Sequence, residues 1–113
     1  MKVLIVEDEP VIALDLEATL TQAGFEVVGP AATVAKALAL LESVGCDAGV
    51  LDANLNGDSA GPVAEALKAR SIPFIAVSGY SREQRPAAFA DAPFFSKPFV
   101  SAELVAALRA LRR

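Results

Sequence analysis

The sequence predicts an α/β domain: an open, doubly wound sheet of five parallel strands with helices on both faces. Three observations predict it. Short apolar runs alternate along the chain with segments of helical periodicity. The runs are apolar at successive positions, as strands covered on both faces are. Strict β-α alternation calls for crossovers, which make the sheet parallel and distribute helices over its two sides.

The elements follow in order. Val3-Leu4-Ile5-Val6 is β-branched, bounded by charge and reads as a buried strand. Pro10 suits a first helical turn, with Asp8 or Glu9 near the N-cap. From Val11 to Ala23, Val11, Leu14 and Ala18 form one apolar line, with Ile12, Leu16 and Leu20 beside it; Gly24 ends the helix at C′. Phe25 to Val28 is a second strand, closed by Gly29-Pro30. Thr33 is placed to cap a helix from Val34 to about Ser43, with Ala37, Leu38, Leu40 and Leu41 inward and Gly45 as the stop. Ala48 to Leu51 is a third strand ending in Asp52, and the turn residues of Asn54 to Ser59 predict a loop. A helix from about Ala60 to Arg70 has Pro62 in its first turn and Val63, Ala66 and Leu67 as its stripe. Pro73 to Val77 is the fourth strand, followed by a Ser78-Gly79-Tyr80-Ser81 turn. Arg82 to Asp91 has helical composition, but Pro86 in its middle predicts a short or frayed helix. Phe94-Phe95 is a short fifth strand. Ser101 is expected to cap a last helix through about Arg112, with Leu104, Val105, Leu108 and Leu111 inward. The basic residues Arg109, Arg112 and Arg113 are expected to cap its C-terminal end.

Composition bounds the chemistry. The 113 residues suit one domain, expected to span 1–113 with no output domain attached. With 54% hydrophobic and 21% charged residues, disorder is excluded. A net charge of −4 argues against a nucleic-acid surface and leaves protein partners and metal cations as the natural ligands. The absence of histidine removes imidazole bases and catalytic triads, and a lone Cys46 makes neither an internal disulfide nor a zinc cluster. The amino-terminal apolar run is too short for a signal peptide or a membrane span, so a cytoplasmic protein with no membrane partner is expected.

In open parallel sheets, ligands gather beyond the carboxyl ends of the strands. There the strands present Glu7-Asp8, Asp52 followed by Ala53 and Asn54, Ser78-Gly79, and Lys97-Pro98. Carboxylates converging on one rim repel one another unless a cation offsets them, and Mg²⁺ suits a few carboxylates plus waters. Lys97 adds a fixed positive charge and Ser78 a hydroxyl donor. Together they make a cup for a tetrahedral oxyanion such as phosphoryl, with Asp52 as its central nucleophile. Taken singly, each group has an ordinary structural use as a cap, a turn residue or a surface lysine. Their joint placement at successive strand ends is what points to function.

The motifs Val3-Leu4-Ile5-Val6-Glu7-Asp8-Glu9-Pro10, Val50-Leu51-Asp52-Ala53-Asn54-Leu55, Ser78-Gly79 and Lys97-Pro98-Phe99 resemble the receiver domains of two-component response regulators. The resemblance covers essentially the whole chain. Phe74-Ile75-Ala76-Val77-Ser78-Gly79-Tyr80 is also similar to the Phe-Ala-Thr-Gly-Tyr motif of a stand-alone receiver type, with Ser in place of Thr. The resemblance implies a flavodoxin-like fold with strand order 2-1-3-4-5. It implies that Asp52 accepts a phosphoryl group from a phosphohistidine on a sensor histidine kinase or histidine phosphotransfer protein, and loses it slowly by its own catalysis. Mg²⁺ would be held by Asp8, Asp52 and the Asn54 backbone carbonyl, and by Glu7 through water. Ser78 and Lys97 would contact the phosphoryl oxygens, with the Lys97-Pro98 peptide cis. Ser78 and Phe94 would form the switch, moving together on phosphorylation to alter binding of a downstream protein target, in a monomer or weak dimer.

This sequence departs from the family pattern in places. Glu7-Asp8 stands where many members have two Asp, Asn56-Gly57 where many have a Pro, and Phe94 lacks a Tyr hydroxyl. With Pro86 in the fourth helix, an order-disorder change over Tyr80 to Asp91 is an alternative transmitter. Two other functions compete: a Mg²⁺-dependent aspartyl-phosphate hydrolase of haloacid-dehalogenase type, and a binding module independent of phosphorylation. Asn54 stands where the hydrolase usually has its second Asp, which argues against the first. The full set of Asp8, Asp52, Ser78 and Lys97 argues against the second.

Overall fold

Strand β3 (Ala48–Asp52) is buried along its whole length, because it lies in the middle of the sheet and is covered on both faces. The computed structural model describes residues 1–55, 58–78, 89, 92–97 and 99–111. Around β3 run β1 (Lys2–Val6), β2 (Glu26–Ala31), β6 (Phe74–Ser78) and β7 (Phe94–Ser96). All pairings in this five-stranded sheet are parallel, in the order β2-β1-β3-β6-β7. That is the expected 2-1-3-4-5 arrangement, counting only strands of the main sheet.

Side-chain alternation divides the interior in two. Val3 and Ile5 pack with Leu16 and Leu20 of α1 (Pro10–Gln22) and Leu104 and Leu108 of α4 (Ser101–Ala110). Leu4 and Val6 point the other way, to Ala37 and Leu41 of α2 (Val34–Ser43) and Val63 and Leu67 of α3 (Gly61–Ala69). Each fully buried Leu contributes on the order of 1.5–3 kcal/mol relative to exposure.

The elements form for the expected local reasons, with five corrections. First, α1 buries Ala13, Leu16 and Leu20, while Val11 and Leu14 are 79% and 65% exposed. Two apolar lines compete on that helix, and the sheet takes the one containing Leu16 and Leu20. Likewise α2 turns Ala37 and Leu41 inward and leaves Leu38 at the surface.

Second, β2 continues through Gly29-Pro30 to Ala31 instead of closing there. The register moves from Leu4↔Val28 to Val6↔Ala31, so one extra residue bulges from this edge strand. Gly29 has φ +100°, and a Cβ there would stand 2.9 Å from the Ile5 carbonyl oxygen. Third, the loop after β3 contains a small antiparallel pair, β4 (Asn54–Leu55) with β5 (Asp58–Ser59).

Fourth, Val100 is the N-cap of α4 and Ser101 its first helical residue, with no side-chain cap. Fifth, Arg109 does not cap α4: its guanidinium donates to the Ala23 carbonyl at 3.0 Å, beyond the end of α1, and lies over the Phe25 ring. Thr33 does cap α2, accepting from the Lys36 backbone N–H at 3.1 Å.

The turn over 79–81, the helix expected over 82–91 apart from Phe89, the Lys97-Pro98 peptide, and Arg112 and Arg113 lie outside the described residues. Phe89 is fully buried, its ring edge-on to Phe74 at 5.8 Å. Among the described residues no helix is long and apolar enough to cross a membrane.

Candidate functional site

Parallel register builds the site. Val6 pairs with Leu51, so the residues that follow them, Glu7 and Asp52, leave adjacent strands side by side. Asp52 pairs with Val77, which sets Ser78 one step further along the same rim. Ser78 pairs with Ser96, and the Lys97 backbone N–H donates to the Ser78 carbonyl at 2.9 Å. Four strand ends thus deliver Glu7, Asp52, Ser78 and Lys97 to one edge, as the sequence predicts. Asp8 follows Glu7 into the same cluster.

Lys97 turns inward. Its Nζ donates to Asp52 Oδ2 at 2.9 Å and to Glu7 Oε2 at 3.2 Å. Glu7, Asp52 and Ser78 are all buried. Glu7 Oε2 also accepts from the Glu9 backbone N–H at 3.1 Å. Glu7 Oε1 lies 3.0 Å from the same ammonium, yet it is buried and receives no aligned hydrogen bond among the described residues.

The electrostatics follow from burial. Desolvation pushes the Glu7 carboxyl up from 4.5 to about 7, and the Asp52 charge adds to the rise; the Glu9 N–H and Lys97 oppose it without cancelling it. Burial by itself would lower the Lys97 pKa. Its hydrogen bonds to Asp52 and Glu7 outweigh that and hold the ammonium above its ordinary value. Lys97 is therefore held as a cation, and the Glu7 carboxyl titrates near neutrality.

Glu7, Asp8 and Asp52 each offer a carboxylate oxygen, and these lie within 4.8 Å of one another. A divalent cation fits this set on two grounds: the donors are hard oxygens, and one buried oxygen of Glu7 receives no aligned hydrogen bond among the described residues. Asn54 is the first residue of β4, two positions after Asp52. Phe94 is buried at the start of β7, in the same core cluster as Phe74 and Phe89. Cys46 stands apart from the site, at the opposite end of the sheet just before β3, where burial pushes its thiol pKa up.

Glu9 is the residue that sequence reasoning missed. As a residue preceding a helix it reads as a cap, but its side chain makes no capping bond. Its carboxylate instead lies 3.9 Å from Lys97 and is 63% exposed. The signal available was a third acid within the same short turn, Glu7-Asp8-Glu9.

A doubly wound sheet with an acidic cluster, a half-buried lysine and a buried hydroxyl at its carboxyl rim has the chemistry to hold a divalent cation and a tetrahedral oxyanion. The family model described as the response regulator receiver domain matches residues 3–109, and the chain belongs to that family. It is 46% identical to SdrG of Sphingomonas melonis Fr1, whose solution structure superposes with a TM-score of 0.85, covering 98% of this chain and 95% of that one. The response regulator PhyR of Brucella abortus is 33% identical, with a TM-score of 0.80, over 95% of this chain and 45% of that one. RegX3 of Mycobacterium tuberculosis, a sensory transduction protein, is 36% identical over 98% of this chain and 50% of its own length. The chain thus spans about half the length of the curated relatives it matches. The family assignment does not favour the hydrolase reading.

Proposed function

We propose that this chain is a phosphorylation-dependent signalling switch, in which residues 3–109 work as one receiver unit and Asp52 is the phosphoacceptor. The single observation that carries the reading is Lys97 Nζ held 2.9 Å from Asp52 Oδ2 inside a buried acidic cup. A fixed ammonium beside a nucleophilic carboxylate supplies positioning and charge neutralisation, which is most of what phosphoryl transfer asks of a protein.

Asp8, Asp52, the Asn54 backbone carbonyl and Glu7, the last through water, are the proposed holders of Mg²⁺. Bound there, the cation would supply charge neutralisation during phosphoryl transfer. Asp52 forms an O–P bond as the P–N bond to the donor imidazole breaks; the imidazole leaves with the bonding pair. Lys97 exchanges its carboxylate partners for a phosphoryl oxygen, and the Ser78 hydroxyl donates to another. The acyl phosphate then adds roughly one to two negative charges at Asp52. The proposed response is a population shift in which Ser78 and Phe94 move together and alter a protein-binding surface. The donor is a sensor histidine kinase or histidine phosphotransfer protein. SdrG supports this reading, since one of its structures is of a BeF3-activated conformation, at 47% identity and a TM-score of 0.81.

The test is labelling with Mg²⁺ and acetyl phosphate, read by intact mass. The wild-type chain gains one acid-stable, base-labile phosphoryl group, and Asp52→Asn gains none. Equal labelling of Asp52→Asn would remove Asp52 from the role.

A further inference from the structure

Glu9 is the exposed carboxylate at the mouth of the cup. Its side chain neither caps α1 nor belongs to the acid set suited to a cation. Its charge partner among the described residues is Lys97, at 3.9 Å. That pair is too exposed and too long to contribute much to stability. What remains is its field. Glu7, Asp8 and Asp52 offer oxygens within 4.8 Å of one another, where Lys97 and a divalent cation would offset their charge, whereas Glu9 stands outside that set and keeps its own charge exposed beside the ammonium. A phosphodonor is an anion, and to reach Asp52 beside Lys97 it must enter the field of Glu9, which lies 3.9 Å from the same ammonium. An incoming dianion is repelled about twice as strongly as a monoanion by the same fixed charge.

We propose that Glu9 is a specificity-determining residue for the phosphodonor, disfavouring small donors of high negative charge. The inference rests on Asp52 being the phosphoacceptor. A free acyl phosphate brings its whole charge to the rim, whereas a phosphohistidine brings its phosphoryl group on a protein surface whose own charges can compensate. Glu9 would thus reduce labelling by small metabolic phosphates.

The test compares two small donors on the full chain at saturating Mg²⁺. With acetyl phosphate, Asp52 forms its O–P bond as the P–O bond to acetate breaks and acetate leaves. With phosphoramidate, the P–N bond breaks and ammonia leaves. Acetyl phosphate carries one more negative charge at neutral pH. Glu9→Gln should raise the acetyl phosphate rate about two- to five-fold at low salt and the phosphoramidate rate by less, so the ratio of the two rates rises. High salt should shrink the change in ratio. A partly unfolded variant would lower both rates together and leave the ratio alone. An unchanged ratio at low salt, with both donors still labelling Asp52, would overturn the role of Glu9 and leave the receiver reading standing. Failure of both donors to label either the wild-type chain or Glu9→Gln would overturn both readings.

Discussion

Glu7 carries its proton up to about pH 7 in the folded protein, whereas an unfolded glutamate releases it near 4.5. Between those values the folded chain binds more protons than the unfolded one. Raising the pH through this window therefore costs stability. Among the described residues, the titratable groups facing Glu7 are Asp52 and Lys97, with Asp8 and Glu9 on its own turn. Only the deprotonated acid ligates a cation, so magnesium should offset the loss at its upper end. In chelator, stability measured by denaturant unfolding should fall between about pH 5 and about pH 8, and Glu7→Gln should flatten that decline. Added magnesium should raise the wild-type midpoint more at the higher pH. A decline that persists undiminished in Glu7→Gln would assign the effect to another group.

At the scale of elements, α1 shows how the sheet chooses among apolar faces. Leu14 and Leu16 are two positions apart and equally apolar, yet one is largely exposed and the other fully buried. Leu16→Ala should cost about 2–5 kcal/mol. Leu14→Ala should stay within about 0.5 kcal/mol. Urea melts of the two variants check this, and equal losses would reverse the assigned faces. Helix α1 itself was legible from Pro10 and Gly24, but its buried face was not, because periodicity marks two adjacent lines there and only the docked sheet selects one. The bulge at Gly29-Pro30 escaped for a similar reason. Those residue types usually close a strand, and only pairing to β1 shows that this edge strand runs on. The rim residues Glu7, Asp8, Asp52, Ser78 and Lys97 were legible because parallel topology sends every strand's carboxyl end to the same side. The contacts of Glu9 were not, since no spacing rule relates it to Lys97 across the sheet.

Over the whole molecule, one sheet holds together two interiors that do not share side chains. Leu67 lies in the interior beneath α2 and α3, and Leu104 in the one beneath α1 and α4. Each strand contributes to both, so neither side can melt while the other keeps its β-structure. Leu67→Ala and Leu104→Ala should each cost about 2–5 kcal/mol. Each should preserve a single transition with an unchanged denaturant slope. Circular dichroism through the melt is the measurement, and a biphasic curve for either variant would show the two halves unfolding separately.

The ammonium that serves the acid rim is mounted just beyond β7, a strand of three residues at the sheet's margin. A narrow outermost ribbon is the least braced part of such a scaffold, having a neighbour on one side only. The positive charge is therefore hung from a cantilever. Anything that flexes that margin would displace it relative to the firmly seated aspartate, lengthening the 2.9 Å contact between them.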